Sequence, residues 1–155
     1  MAYGAARVER VGQDLPDASS ARAPADDWPI VVVVDDDACL RALIGDWVEA
    51  AGFTSVRVED GGSCVEAVKF LSPAVVIVDL YMEGMGGVDT ISAIRALDRG
   101  VYIIAATAET DPEMLIDVAE AGADEVLLKP FNRTVLVKAL CSTTGRKALA
   151  GPDFT

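Results

Sequence analysis

Five short strand-like runs, at residues 30–34, 54–58, 74–79, 101–106 and 126–128, the second carrying Thr54, Ser55 and Arg57 and the others chiefly apolar, alternate along the chain with segments of helical periodicity. The third, AVVIVD, stays apolar for five residues before it ends on a carboxylate. A half-exposed strand would alternate polar and apolar residues. Unbroken apolar runs of this length suit strands buried on both faces of a parallel sheet. The segments between them supply the cover. After the first run, Leu40, Leu43, Ile44, Trp47, Val48 and Ala51 recur at i, i+3, i+4, i+7, i+8 and i+11, and Gly52 closes that helix. Further helices are predicted from 63 to about 71, from 88 to about 97, from the Asp111-Pro112 start to 122, and from 133 to 142, Asp111 and Pro112 having the chemistry of an N-cap and a first helical residue.

Strand and helix in regular alternation imply an α/β domain: a doubly wound, five-stranded parallel sheet with right-handed crossovers and helices on both faces. The natural order for five units is the flavodoxin-like 2-1-3-4-5. We expect this domain to span 29–144. Residues 1–28, rich in Ala, Asp, Ser, Arg and Pro without a sustained period, read as a flexible leader, and 145–155 as a C-terminal tail.

With 155 residues there is room for one domain and its tails. A net charge of −12 argues against a nucleic-acid partner, because such affinity rests on Lys and Arg neutralising phosphates. No apolar run approaches the length of a membrane span, and the N-terminus lacks a secretory core. Cys39, Cys64 and Cys141 are widely spaced, each in a predicted helix, as expected of reduced packing residues in a cytoplasmic protein. Histidine is absent. Ser-His and Cys-His nucleophiles are thereby excluded, and any metal must take oxygen ligands, which favours magnesium, calcium or manganese over zinc.

In open parallel sheets, chemistry collects at the C-terminal ends of the strands, at the point where the order reverses. There the first run delivers Asp35 and Asp36, the third Asp79, the fourth Thr107 and the fifth Lys129. Each alone has an ordinary explanation as a cap, a turn residue or a surface lysine; their convergence on one edge does not. Three carboxylates within about 5 Å repel by about 3 kcal/mol per pair at an effective dielectric near 20. A hard divalent cation such as Mg²⁺ resolves that conflict. Cation, ammonium and hydroxyl around one carboxylate suit a tetrahedral anion bound to it.

The motifs VVVVDDD, VVIVDLYMEGMGG, AATAE and LLKPF, in this order, resemble those of the response-regulator receiver domain of two-component signalling, over about residues 30–142. The resemblance implies that Asp79 is the phosphoacceptor and that Asp35, Asp36 and Asp79 hold Mg²⁺ with the main-chain carbonyl of Tyr81. It implies that Thr107, the amide of Ala108 and Lys129 bind the phosphoryl group, and that Lys129 and Pro130 are joined by a cis peptide. The donor is then a phosphohistidine on a histidine kinase or a histidine phosphotransfer protein. Thirteen residues after 142 cannot make an effector domain, so a stand-alone cytoplasmic regulator is expected; the resemblance implies that it signals through a downstream protein or a second copy docking on the helix 4, strand 5, helix 5 face, where Met114, Ile116, Val135 and Val137 add apolar surface. It is no enzyme beyond its own phosphotransfer and dephosphorylation.

The sequence departs from that family at two places. Val126 stands where the family carries a switch aromatic. Glu83 replaces a common proline in a loop whose Gly84, Gly86 and Gly87 predict mobility. Tyr81 and Glu109 occupy positions flanking the hydrolytic water and are expected to modify dephosphorylation rate. Two other functions stay open at this level: a receiver-like docking module that is never phosphorylated, and a phosphatase of the haloacid dehalogenase type using Asp35 and Asp37. A dinucleotide-binding domain is disfavoured, because three aspartates fill the first turn where a pyrophosphate needs glycines.

Overall fold

The computed structural model describes residues 28–145, so the expected leader and tail lie outside the described residues except at their inner ends. In chain order the elements are β1 (Ile30–Val34), α1 (Ala38–Ala50), β2 (Thr54–Val58), α2 (Gly61–Leu71), β3 (Val75–Asp79), α3 (Gly87–Leu97), β4 (Tyr102–Thr107), α4 (Pro112–Ala121), β5 (Glu125–Leu128) and α5 (Arg133–Thr144). The strands form one parallel sheet in the order β2-β1-β3-β4-β5, the doubly wound arrangement anticipated from the sequence.

Successive strand residues point to opposite faces. Val31 and Val33 of β1, with Val75 and Ile77 of β3, meet Ile44 and Val48 of α1 and Leu136 and Leu140 of α5. Val32 and Val34, with Val76 and Val78, meet Cys64 and Val68 of α2, Ile91 and Ile94 of α3 and Val118 of α4. Both faces are dry, which is why the central strands could carry no polar residue before their ends.

Some boundaries and faces differ from expectation for local reasons. α2 starts at Gly61, ahead of Ser63, because Asp60 is its N-cap and accepts from the Ser63 amide at 2.7 Å. α5 continues past 142 to Thr144 and is closed by Gly145 at φ 72°. On α1 the buried line is Ile44, Gly45 and Val48, while Leu43 is 44% exposed. Arg57 of β2 displaces the stripe: its side chain crosses α1 at Gly45, where a Cβ would overlap the guanidinium, and bonds Asp46 at 3.0 Å and Ser55 Oγ at 3.1 Å. Of the cysteines, Cys64 is a core residue and Cys141 half-buried, but Cys39 is exposed and fills no packing role. Val137 is buried and Met114 packs half-buried on the core, so neither extends the outer face of α4, β5 and α5; Ile116, Leu128 and Val135 do.

Candidate functional site

Register decides which strand ends meet. Val34 of β1 pairs with Val78 of β3, so Asp35 and Asp79 finish level on adjacent strands. Asp79 pairs with Ala106, and Thr107 with Leu128, so each strand farther along the sheet ends one step higher. Thr107 and Lys129 thus rise beside Asp79.

Lys129 reaches back across this stair. Its Nζ lies 3.1 Å from Asp79 Oδ1 and 3.3 Å from Asp35 Oδ2. Both carboxylates are buried. Carboxylate oxygens of Asp35, Asp36 and Asp79 also lie within 4.8 Å of one another, Asp36 being exposed. One ammonium bonds two of three clustered carboxylates, and the imbalance shifts the ionisation of both Asp79 and Lys129. Burial pushes the Asp79 carboxyl above its ordinary range and the Asp35 charge adds to this, against the pull of the Lys129 hydrogen bond. Burial works against the Lys129 ammonium, yet the hydrogen bond to Asp79 and the two carboxylate charges hold its pKa above the usual value. The donor set is oxygen alone, the chemistry of a hard divalent cation.

Hydrogen bonds fix the surrounding backbone. The Lys129 amide donates to the Thr107 carbonyl at 2.8 Å, tying β5 to β4 just before the cis Lys129-Pro130 peptide. Thr107 is fully buried, and its Oγ1 accepts from the Glu109 amide at 2.9 Å, which leaves its O–H to donate. The Tyr81 amide donates to Asp79 Oδ1 at 3.3 Å, so the residue after next curls over the acceptor. Its phenol donates to Glu109 Oε2 at 3.4 Å, joining the β3–α3 and β4–α4 loops instead of pointing freely to solvent. Ala108 is exposed next to Thr107. Val126 pairs with Ala105 and packs half-buried against the α2–α4 side of the core.

Asp37 plays a different part from its neighbours. Its carboxylate accepts from the Cys39 and Leu40 amides at 2.9 and 3.1 Å and caps α1. A phosphatase would need that carboxylate free for acid–base work, so the D-x-D alternative loses its second aspartate to structure.

Two contributors escaped the sequence. Arg41 Nη1 donates to the Asp35 carbonyl at 2.8 Å, a contact that no helical periodicity signals. Gly87 is no hinge: its amide donates to the Leu80 carbonyl at 3.1 Å, and a Cβ there would lie 2.5 Å from Leu80 Cα and 2.7 Å from the Asp79 carbonyl oxygen. The three-glycine loop is the signal that pointed at it, but toward mobility; within that loop only Gly84 and Gly86 have open space.

A family model described as the response regulator receiver domain matches residues 31–141. The DNA-binding response regulator MtrA of Mycobacterium tuberculosis is 38% identical over 107 residues, 69% of this chain and 46% of that protein. The chain therefore spans about half the length of such curated relatives. Chemotaxis protein CheY of Thermotoga maritima is 34% identical over 111 residues, 71% of this chain and 92% of that one. Among solved structures, chemotaxis protein CheY4 of Vibrio cholerae superposes with a TM-score of 0.71 at 28% identity, over 75% of this chain and 98% of that one.

Proposed function

Because the chain belongs to the response-regulator receiver family of two-component signalling, we propose that Asp79 accepts a phosphoryl group from a phosphohistidine and that the modified domain signals by changed protein contacts. The observation that carries this is the Lys129 ammonium held between the buried Asp79 and Asp35 carboxylates at 3.1 and 3.3 Å. Receiver domains typically bind Mg²⁺ at an acidic pocket, and Asp35, Asp36 and Asp79, with the Tyr81 carbonyl, are the residues that would hold it here. Bound there, the ion supplies positive charge to the phosphoryl oxygens.

In the transfer, an Asp79 carboxylate oxygen attacks phosphorus, the O–P bond forms as the N–P bond breaks, and the electron pair leaves on the donor imidazole. No residue of this sequence is a histidine, so that imidazole comes from elsewhere, a histidine kinase or a histidine phosphotransfer protein. Lys129 stays over the incoming charge. Thr107, whose oxygen already accepts from the Glu109 amide, donates its O–H to a phosphoryl oxygen, and the Ala108 amide serves a second. Water attack on phosphorus later releases phosphate and restores the carboxylate; Tyr81 and Glu109, joined above the acceptor, slow the approach of that water.

Output runs through the face that exposes Ile116, Leu128 and Val135, offered to a downstream protein or a second copy in a cytoplasmic setting. No helix among the described residues is long and apolar enough to cross a membrane. A receiver fold that docks without phosphorylation is the second reading, favoured by Val126 at the switch position. Labelling with acetyl phosphate separates the two. Mg²⁺-dependent labelling of the wild type, lost in Asp79→Asn, is expected; an unlabelled wild type with Mg²⁺ present would sink phosphotransfer in favour of docking.

A further inference from the structure

Asp36 is the exposed member of the acidic set, and among the described residues its carboxylate has no hydrogen-bond partner of its own. Its direction is therefore set by the backbone on either side of it. That backbone is a closed circuit. The Asp37 amide donates to Asp35 Oδ1 at 2.9 Å, the Arg41 amide donates to the Asp37 carbonyl at 2.9 Å, and the Arg41 guanidinium returns to the Asp35 carbonyl at 2.8 Å. The last bond holds the 35–36 peptide plane and the first holds the 36–37 amide, so the two planes flanking Asp36, and between them its Cα–Cβ vector, are set.

We infer that Arg41 is a positioning residue for divalent-cation binding: by clamping the Asp35 carbonyl it aims the Asp36 carboxylate at Asp35 and Asp79. This deepens the metal assignment made above and rests on it. A guanidinium so near a cation site has an opposing electrostatic effect, since its positive charge disfavours the ion. The clamp outweighs the charge because an exposed, unpartnered carboxylate released from its turn has many rotamers and one useful direction, and groups that orient metal ligands typically matter by 10–100-fold in affinity.

Titration calorimetry of the full chain with MgCl₂ tests this, using wild type, Arg41→Met, Arg41→Lys and each Arg41 variant combined with Asp36→Asn. Arg41→Met removes charge and donor but keeps apolar bulk. It should weaken Mg²⁺ binding by about 10-fold. Arg41→Lys, which retains one donor and the charge, should restore affinity to within about 3-fold of wild type. In the Asp36→Asn background, Arg41→Met should cost little more, because its effect passes through the missing carboxylate. Tighter binding by Arg41→Met would show that charge repulsion dominates and would overturn the clamp. So would an equal loss with and without Asp36, which marks a merely structural role. If Arg41→Met does not fold, Arg41→Leu, alone and with Asp36→Asn, takes its place: a comparable loss in the single variant and little further loss in the double are expected, and tighter binding by Arg41→Leu again overturns the inference. A wild type that binds no Mg²⁺ defeats the metal assignment itself, and the inference with it.

Discussion

Lys129 and Asp79 are held 3.1 Å apart, yet the pKa of the aspartate is raised, because burial and Asp35 outweigh what one shared ammonium supplies. The Asp79 carboxylate is thus ionised at a cost to the fold, and the cost is measurable.

Replacing Asp79 by Asn should stabilise the metal-free protein by about 1 kcal/mol at neutral pH, within the range of other function-relieving substitutions. The gain has a definite pH dependence. A carboxyl whose folded pKa lies above its unfolded value binds more protons in the native state between the two, so it lowers stability as pH rises through that window. The advantage of Asp79→Asn should therefore be full above the raised Asp79 pKa and fade as pH falls below it. Denaturant melts at several pH values in a chelating buffer check this; an equally destabilised mutant at all pH values would contradict it.

Lys129→Met should do the reverse. It leaves Asp35 and Asp79 facing each other without their ammonium, a loss of about 2–3 kcal/mol, a little below the usual cost of breaking a buried pair because the lysine is partly exposed. Added Mg²⁺ should raise the melting temperature of this variant by more than that of the wild type. Thermal scans with and without the ion provide the comparison.

Gly87→Ala adds one methyl against backbone, with no flexible side chain to yield at Leu80 Cα or the Asp79 carbonyl. A destabilisation of about 2–3 kcal/mol is expected, toward the upper end of overpacking costs. Gly86→Ala, one residue earlier in open space, should be nearly neutral. Matched urea melts of the two variants settle whether close approach, not loop freedom, sets the glycine.

Thiol labelling should distinguish Cys39 from Cys64. Burial pushes the Cys64 thiol up to about 12, whereas Cys39 is exposed at the start of α1. In native protein at pH 8, an aromatic disulfide reagent should modify Cys39 quickly and Cys64 only after denaturation. Mass mapping of the labelled peptides reads this directly.

The strands were legible because burial on both faces leaves a continuous apolar signature, and their order followed from the alternation with helices. Asp35, Asp36, Asp79, Thr107 and Lys129 were legible as a group because parallel strands deliver their last residues to one edge. The contributions of Arg41 and Gly87 were not. Arg41 acts through its own helix's preceding turn, a contact with no periodic pattern, and Gly87 is needed for a long-range clearance that sequence cannot distinguish from flexibility. The exposure of Leu43 was hidden for a related reason: it depends on Arg57, from another strand, occupying the groove at Gly45.

Three clustered carboxylates with one ammonium between two of them make this domain's folding equilibrium a reporter of its ionic surroundings. A library of variants ranked for stability in a chelating buffer would favour neutral replacements along the acidic edge, and the same library ranked in millimolar magnesium would penalise them. Selection that sees only the metal-free protein would erase the residues proposed to hold the cation and the phosphoryl group.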